Sequence, residues 1–347
     1  MTPPGRRAAS ALAWTIRPMS MPAELTSALR GLLSGAAALL MLFVGQAASA
    51  QAPACPPVTR APTPEQIQAA QRDAHDRGFL WRISKEGRSS YLYGTLHVGK
   101  LDWAFPGPRL AAALRDTDAL AVEIDLTDPA LAQSMIASYV AAGPAPALPE
   151  AIQQRLTRQI AAACLPDQAL AFLHPVMQAV TLSILAGRWE GLDPAYAQEI
   201  VLGADAHARQ KAVVSLESLQ SQLAALIPRD PMQMQRLLAQ TLEQLEGDRV
   251  RPVLRRLADA WASGRLSELE SYAKWCECAD TPEDRAFLAR LNDDRNPSMA
   301  ERIDALHRSG KRVLAAVGSL HMTGAKGLPK LLAERGYAVE RMTAARQ

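Results

Sequence analysis

Two four-residue segments near opposite ends of the chain carry the residue types that hold metal ions. Gly94-Thr95-Leu96-His97 follows the apolar run Tyr91-Leu92-Tyr93, and Gly318-Ser319-Leu320-His321 follows Val313 to Val317. Each reads as an apolar strand, then Gly, a small hydroxyl residue, Leu and His, and the two histidines are 224 residues apart. Glycine lets the backbone turn sharply at a strand end, so that the His three residues on points back over that end. Open α/β sheets bind ligands at such ends, and two strands of this kind side by side put two imidazoles in one crevice. Imidazole pairs suit borderline divalent metals, and a catalytic site adds a carboxylate while leaving a position open for water. Three carboxylates follow apolar strands: Glu123 and Asp125 in Val122-Glu123-Ile124-Asp125, and Glu217 after Val214-Ser215-Leu216. Any one of these alone is more simply a satisfied strand-end histidine or a helix-capping acid. The repeated motif reverses that weighting for the pair.

The elements that must position them follow from periodicity. Phe79 to Ile83 and Tyr91 to Tyr93 flank Lys85-Glu86-Gly87-Arg88-Ser89, a hairpin signature. Ala119 to Ile124 is a short buried strand, and Ala212 to Leu216, short and branched between Lys211 and Glu217, joins the sheet. Helical spacing dominates between them and onward, strongest in Ile152 to Ala163, Ala195 to Arg209, Met232 to Leu245 and Val253 to Ser263. Strand, Gly-rich loop, helix and strand close the chain over Arg312 to Arg341. The expectation is one α/β domain over 79–347, its sheet formed from both ends of the chain, with a large helical insertion over about 128–310. His75, His174, His207 and His307 lie in helical or linker contexts and read as surface or core residues. Asp193 reads as a cap before Pro194, and Trp103 lies close enough after His97 to wall a pocket.

With 347 residues, 48% apolar and 21% charged, the chain is long enough for a large core and too apolar for disorder. Its formal charge of +3 is unevenly placed. Residues 1–50 hold Arg6, Arg7, Arg17 and Arg30 against Glu24, then the uncharged run Gly31 to Gly45, then Ala48-Ser49-Ala50. These are the parts of a secretory signal peptide, with cleavage expected after Ala50, and the run is short for a membrane span. Without that segment the chain keeps 34 basic and 34 acidic residues. A neutral protein offers no electrostatic footprint for nucleic acid or an anionic membrane, so neither partner is expected. A Pro-rich tether and a short helix fill 51–78.

Export implies an oxidising compartment for Cys55, Cys164, Cys276 and Cys278, in which two disulfides have three connectivities. Cys276 and Cys278 sit too close in sequence to pair comfortably, so bridges from them to Cys55 and Cys164 are favoured. A soft-metal Cys-x-Cys site ranks lower, since no second pair completes it.

The order of motifs resembles the TraB/PrgY/GumN family, relatives of the Tiki metalloproteases, from about Phe79 to Met342. The matching residues are Leu80-Trp81-Arg82-Ile83, Gly94 to His97, Glu123, Gly191-Leu192-Asp193, Leu216-Glu217-Ser218 with Gln220, Arg295-Asn296, and Gly318 to His321 with Gly324 and Gly327-Leu328. The resemblance implies a metal-dependent site with His97, Glu123 and His321 as ligands or their close partners, and manganese or cobalt as the metal. It implies Glu217 as general base and Arg295 as the group that holds a substrate carboxylate or a developing oxyanion. The function expected is an exported, periplasmic or secreted, metal-dependent hydrolase acting on peptides or another small substrate. The competing expectation is a non-catalytic protein that binds metal, haem or a small ligand in the same crevice.

Overall fold

A computed structural model describes residues 55–131, 133–134 and 147–343, so the predicted signal peptide lies outside the described residues. The predicted hairpin is β1 (Phe79–Lys85) and β2 (Arg88–Thr95), paired antiparallel with Lys85 opposite Arg88. Glu86 and Gly87 both take positive φ in the two-residue turn, a twist that matches the flanking strands. The other strands are β3 (Ala119–Val122), β4 (Ala212–Ser215), β5 (Val313–Gly318) and β6 (Ala338–Arg341).

These six form one sheet in the order β4-β3-β5-β2-β1-β6, built from both ends of the chain as expected, with helices filling the sequence between. β2, β5, β3 and β4 run parallel, while β1 is antiparallel to β2 and β6. All four residues of β3 and the first five of β5 are buried, which explains why these strands read as unbroken apolar runs rather than alternating ones. The register pairs Thr95 with Gly318 and Val122 with both Ala316 and Ser215. The C-terminal ends of four neighbouring parallel strands therefore reach one edge of the sheet together.

Helix Val250–Ala262 braces that edge. Its Trp261 is fully buried, donates from Nε1 to the Gly94 carbonyl at 2.7 Å, and packs on Trp103 with ring centroids 5.2 Å apart. Trp103 thus supports the first Gly-x-x-His segment from beneath, through Trp261. Trp261→Phe keeps an aromatic ring but removes the hydrogen bond and the five-membered half of a fully buried indole. It is expected to lower stability by about 2–4 kcal/mol, read as a lowered urea midpoint at unchanged slope.

Helices Glu150–Ala162, Pro175–Ala186 and Pro231–Glu246 bury a smaller core of their own, with Leu156, Ile160, Leu182, Leu238 and Leu242 at helical spacing. None of the described helices is long and apolar enough to cross a membrane. The helix expected to open at Asp128 falls mostly outside the described residues.

The disulfides differ from expectation. Cys55 pairs with Cys164, with Cα atoms 5.6 Å apart, and fastens the N-terminal tether to the end of helix Glu150–Ala162. Cys276 pairs with Cys278 across one residue, with Cα atoms 5.1 Å apart. Closeness in sequence does not prevent this bridge because Glu277 adopts φ +53° and folds the chain back on itself.

Candidate metal centre

Four of the five expected side chains stand just past strand ends. His97 follows β2, and Glu123 is the first residue beyond β3. His321 lies in the single 3-10 turn Ser319–Met322 after β5. Glu217 follows β4, where its amide donates to the Glu123 carbonyl at 3.0 Å and prolongs the β3–β4 pairing past the strands. Arg295 precedes helix Asn296–Arg308 and reaches the same edge from there.

The two Gly-x-x-His segments interlock. Ser319 Oγ donates to the Thr95 carbonyl at 2.8 Å, and a Cβ at Gly94 would come within 2.9 Å of that same Oγ. A Cβ at Gly318 would come within 3.1 Å of Glu123 Oε1 and 3.5 Å of His321 Cδ2. Both glycines are therefore required by close approach: Gly94 lets the segments touch, and Gly318 forms the floor of the site.

Glu123 is 5% exposed and fully engaged. Its Oε1 accepts from the Gly318 amide at 2.8 Å, and its Oε2 accepts from Arg295 Nη2 at 2.6 Å and Gln222 Nε2 at 3.1 Å. Burial pushes its pKa up, but His321, His97, Arg295 and the Gly318 amide together overcome that and hold it at about 2. Glu217 accepts from Arg295 Nε on both oxygens, at 3.0 and 3.1 Å, and from Nη2 on Oε2. Arg295 Nη1 is turned to the Leu291 carbonyl at 2.8 Å. Almost the whole guanidinium fork is thus spent on two carboxylates of its own chain.

His321 is buried, and its Nδ1 stands 2.6 Å from Asn296 Oδ1. Asn296 Nδ2 donates to the Lys326 carbonyl at 2.9 Å, so the amide oxygen must be the atom facing the imidazole. It follows that Nδ1 carries the proton and Nε2, 3.8 Å from Glu123 Oε1, presents a lone pair. Burial lowers the pKa of this ring, which favours the neutral form.

The structure adds Glu199, which no sequence signal marked. It lies in the first turn of helix Gln198–Ala208 and is 8% exposed. Its Oε1 accepts from Thr95 Oγ1 and stands 3.1 Å from His97 Nδ1, and the carboxylate raises the pKa of His97. Gln198 beside it accepts from the Leu96 amide at 2.9 Å, tying the helix start to the first motif. Glu199 Oε2 is buried with no hydrogen-bond partner. His97, Glu123 and Glu199 each offer one ligand atom, and these lie within 4.8 Å of one another. His321 joins this cluster through Glu123 rather than as a member of the tightest triad.

The donor set fits a divalent cation. Three buried carboxylates, Glu123, Glu199 and Glu217, gather here with one guanidinium, Arg295, which bonds the first and the last; the sum is two negative charges, or one if His97 is protonated. Imidazole with carboxylate oxygens suits first-row divalent metals, and an orphaned buried carboxylate oxygen is costly without a partner of some kind. The other expected acid, Asp125, is elsewhere employed: it accepts from the Thr127 amide at 3.0 Å and pairs with His207 Nε2 at 3.0 Å. Asp193 caps the Pro194–Tyr196 turn through the Ala195 amide, as expected, and also bonds Arg188. His174 caps helix Pro175–Ala186, and His307 is a core residue between Ser90 and the Lys85 carbonyl.

A family model described as the TraB/PrgY/gumN family matches residues 79–341, a span that holds every residue of this cluster. None of the curated proteins and none of the solved structures matches the chain.

Proposed function

This chain belongs to the TraB/PrgY/gumN family, and from that premise we propose that it is an exported, metal-dependent hydrolase acting on peptides. The observation that carries the reading is the unbalanced charge at the strand ends, with Glu199 Oε2 buried and unpaired beside His97 and Glu123. His97, Glu123 and Glu199 would hold the metal, with His321 Nε2 as the next donor. A divalent ion there supplies Lewis acidity, which acidifies water and polarises a carbonyl. Manganese or cobalt suits this oxygen-rich set better than a metal that demands thiolates.

The chain's own residues supply the rest. Arg295 is a positioning residue: it fixes the carboxylates of Glu123 and Glu217 rather than waiting for a substrate. Glu217 has both oxygens on Arg295, and Asn296 holds the His321 ring so that its Nε2 lone pair is kept for the centre. The two disulfides suit an oxidising compartment and support export.

The test is metal analysis of protein purified without chelators, followed by turnover of a peptide library with manganese added. Stoichiometric metal and peptide cleavage that fall together in His97→Ala and His321→Ala are the expected result. Full metal content and full activity in both variants would overturn the proposal. One observation favours a second reading, a non-catalytic protein for metal, haem or a small ligand: the guanidinium expected to meet substrate is already spent. Stoichiometric binding with no turnover would select that reading.

A further inference from the structure

Cys276 and Cys278 close a disulfide across a single residue. We propose that this pair is a reversible thiol–disulfide exchange site, cycled by a dithiol while the surrounding fold stays in place. The two bridges of this protein constrain the chain very differently. Cys55–Cys164 joins residues 109 apart, whereas Cys276–Cys278 joins residues two apart. A cross-link stabilises a fold through the freedom it removes from the unfolded chain, and that freedom grows with loop length. Opening the short bridge therefore takes almost nothing from the fold, while opening the long one removes the covalent anchor of the N-terminal tether and leaves it contacts such as Thr59 Oγ1 on Asp193.

The backbone favours opening as well. Glu277 takes φ +53°, in the left-handed region where a side chain is disfavoured, inside the ring that the bridge closes. Cys164 shares a φ of +53°, but for a separate reason. It follows the last turn of helix Glu150–Ala162, where its amide donates to the Ala161 carbonyl and that of Leu165 to the Ile160 carbonyl, the usual left-handed helix ending.

Access and reclosure are both provided. Cys276 is 3% exposed, whereas Cys278 is partly exposed and Glu277 is exposed, so Cys278 is the more open of the two cysteines to an incoming thiolate. The segment is pinned by bonds that do not involve sulfur. The Cys276 amide donates to the Tyr272 carbonyl at 3.0 Å, Gln244 Nε2 to the Glu277 carbonyl at 3.1 Å, and Trp275 Nε1 to the Glu268 carbonyl at 2.9 Å. The Arg256 guanidinium lies 4.3 Å over the Trp275 ring. The two sulfurs consequently stay neighbours after the bond opens.

The exchange balances in two steps. A thiolate of the dithiol bonds to Cys278 Sγ, the Sγ–Sγ bond breaks, and its electron pair leaves on Cys276, which takes up a proton. The second thiolate of the dithiol then attacks its own partner sulfur and releases Cys278, which is protonated in turn. The protein gains two electrons and two protons, and the dithiol becomes a disulfide.

The experiment equilibrates the full folded chain in buffers of graded reduced-to-oxidised dithiothreitol, quenches with a thiol alkylator and assigns the labelled cysteines by peptide mass spectrometry. Cys276 and Cys278 are expected to label together at a ratio at least about tenfold lower than opens Cys55–Cys164, with the circular dichroism spectrum unchanged. Glu277→Gly removes the left-handed cost and should require about a fivefold more reducing ratio. Simultaneous opening of both bridges, opening only with loss of helical signal, or an unchanged ratio in Glu277→Gly would each overturn the proposal.

Discussion

Replacing Arg295 by alanine is expected to destabilise the protein by about 3–5 kcal/mol, because it strands two buried carboxylates without their counter-charge. The Glu123 and Glu217 side chains are 7% and 5% exposed, and Arg295 is the one guanidinium bonded to both. Their remaining donors are the Gly318 amide and Gln222, neither of which is charged. Arg295→Lys keeps the charge but cannot reach both acids with a fork, so an intermediate loss is expected. Pairing Arg295→Met with Glu217→Gln removes a charge of each sign, and this double variant should recover a substantial part of the loss. Urea midpoints of the four proteins measure the series. A loss below about 1 kcal/mol in Arg295→Ala would mean that the imidazoles of His97 and His321 already supply the counter-charge, and the assignment of that role to Arg295 would fail. Because the alanine variant has more uncompensated negative charge, it should also gain more stability from an added divalent cation than the unchanged protein does.

The paired motifs were readable because local chemistry and topology agree on them. An apolar run ending in Gly can be recognised from residue types alone, and parallel pairing of β2 with β5, Thr95 opposite Gly318, then makes neighbours of His97 and His321. Glu123, Glu217 and Arg295 gather at the same edge because they too flank element ends. Glu199 was invisible for a physical reason: an acid in the first turn of a helix is ordinarily explained by the helix dipole alone. Its place in the site depends on Gln198 meeting the Leu96 amide across 102 residues, and nothing in the local sequence encodes that contact. The Cys276–Cys278 bridge was hidden by a different rule. Sequence spacing counts residues, whereas closure depended on one residue, Glu277, entering a backbone region that its type disfavours.

Glu199→Gln is expected to separate stability from cation binding more sharply than any other substitution at the centre. The amide keeps an oxygen for Thr95 Oγ1 and the same shape, while removing the charge of a buried carboxylate whose Oε2 has no partner. Metal-free Glu199→Gln gives up the charge pairing with His97 but also relieves the orphaned Oε2, so it should be within about 1 kcal/mol of the unchanged protein. Cation affinity should move the opposite way. Loss of even an outer partner of a metal ligand costs about 10–100-fold, so loss of a charged member of the triad should cost at least about 100-fold. Thermal unfolding with and without added manganese reads both effects at once. A cation at about 100 times its dissociation constant stabilises the unchanged protein by about 2.7 kcal/mol, because it binds the folded state alone. The same concentration should leave the unfolding temperature of Glu199→Gln almost where it was. A variant that keeps the full cation-dependent shift would show that Glu199 stands beside the centre rather than in it, and His321 would then take its place as the third ligand.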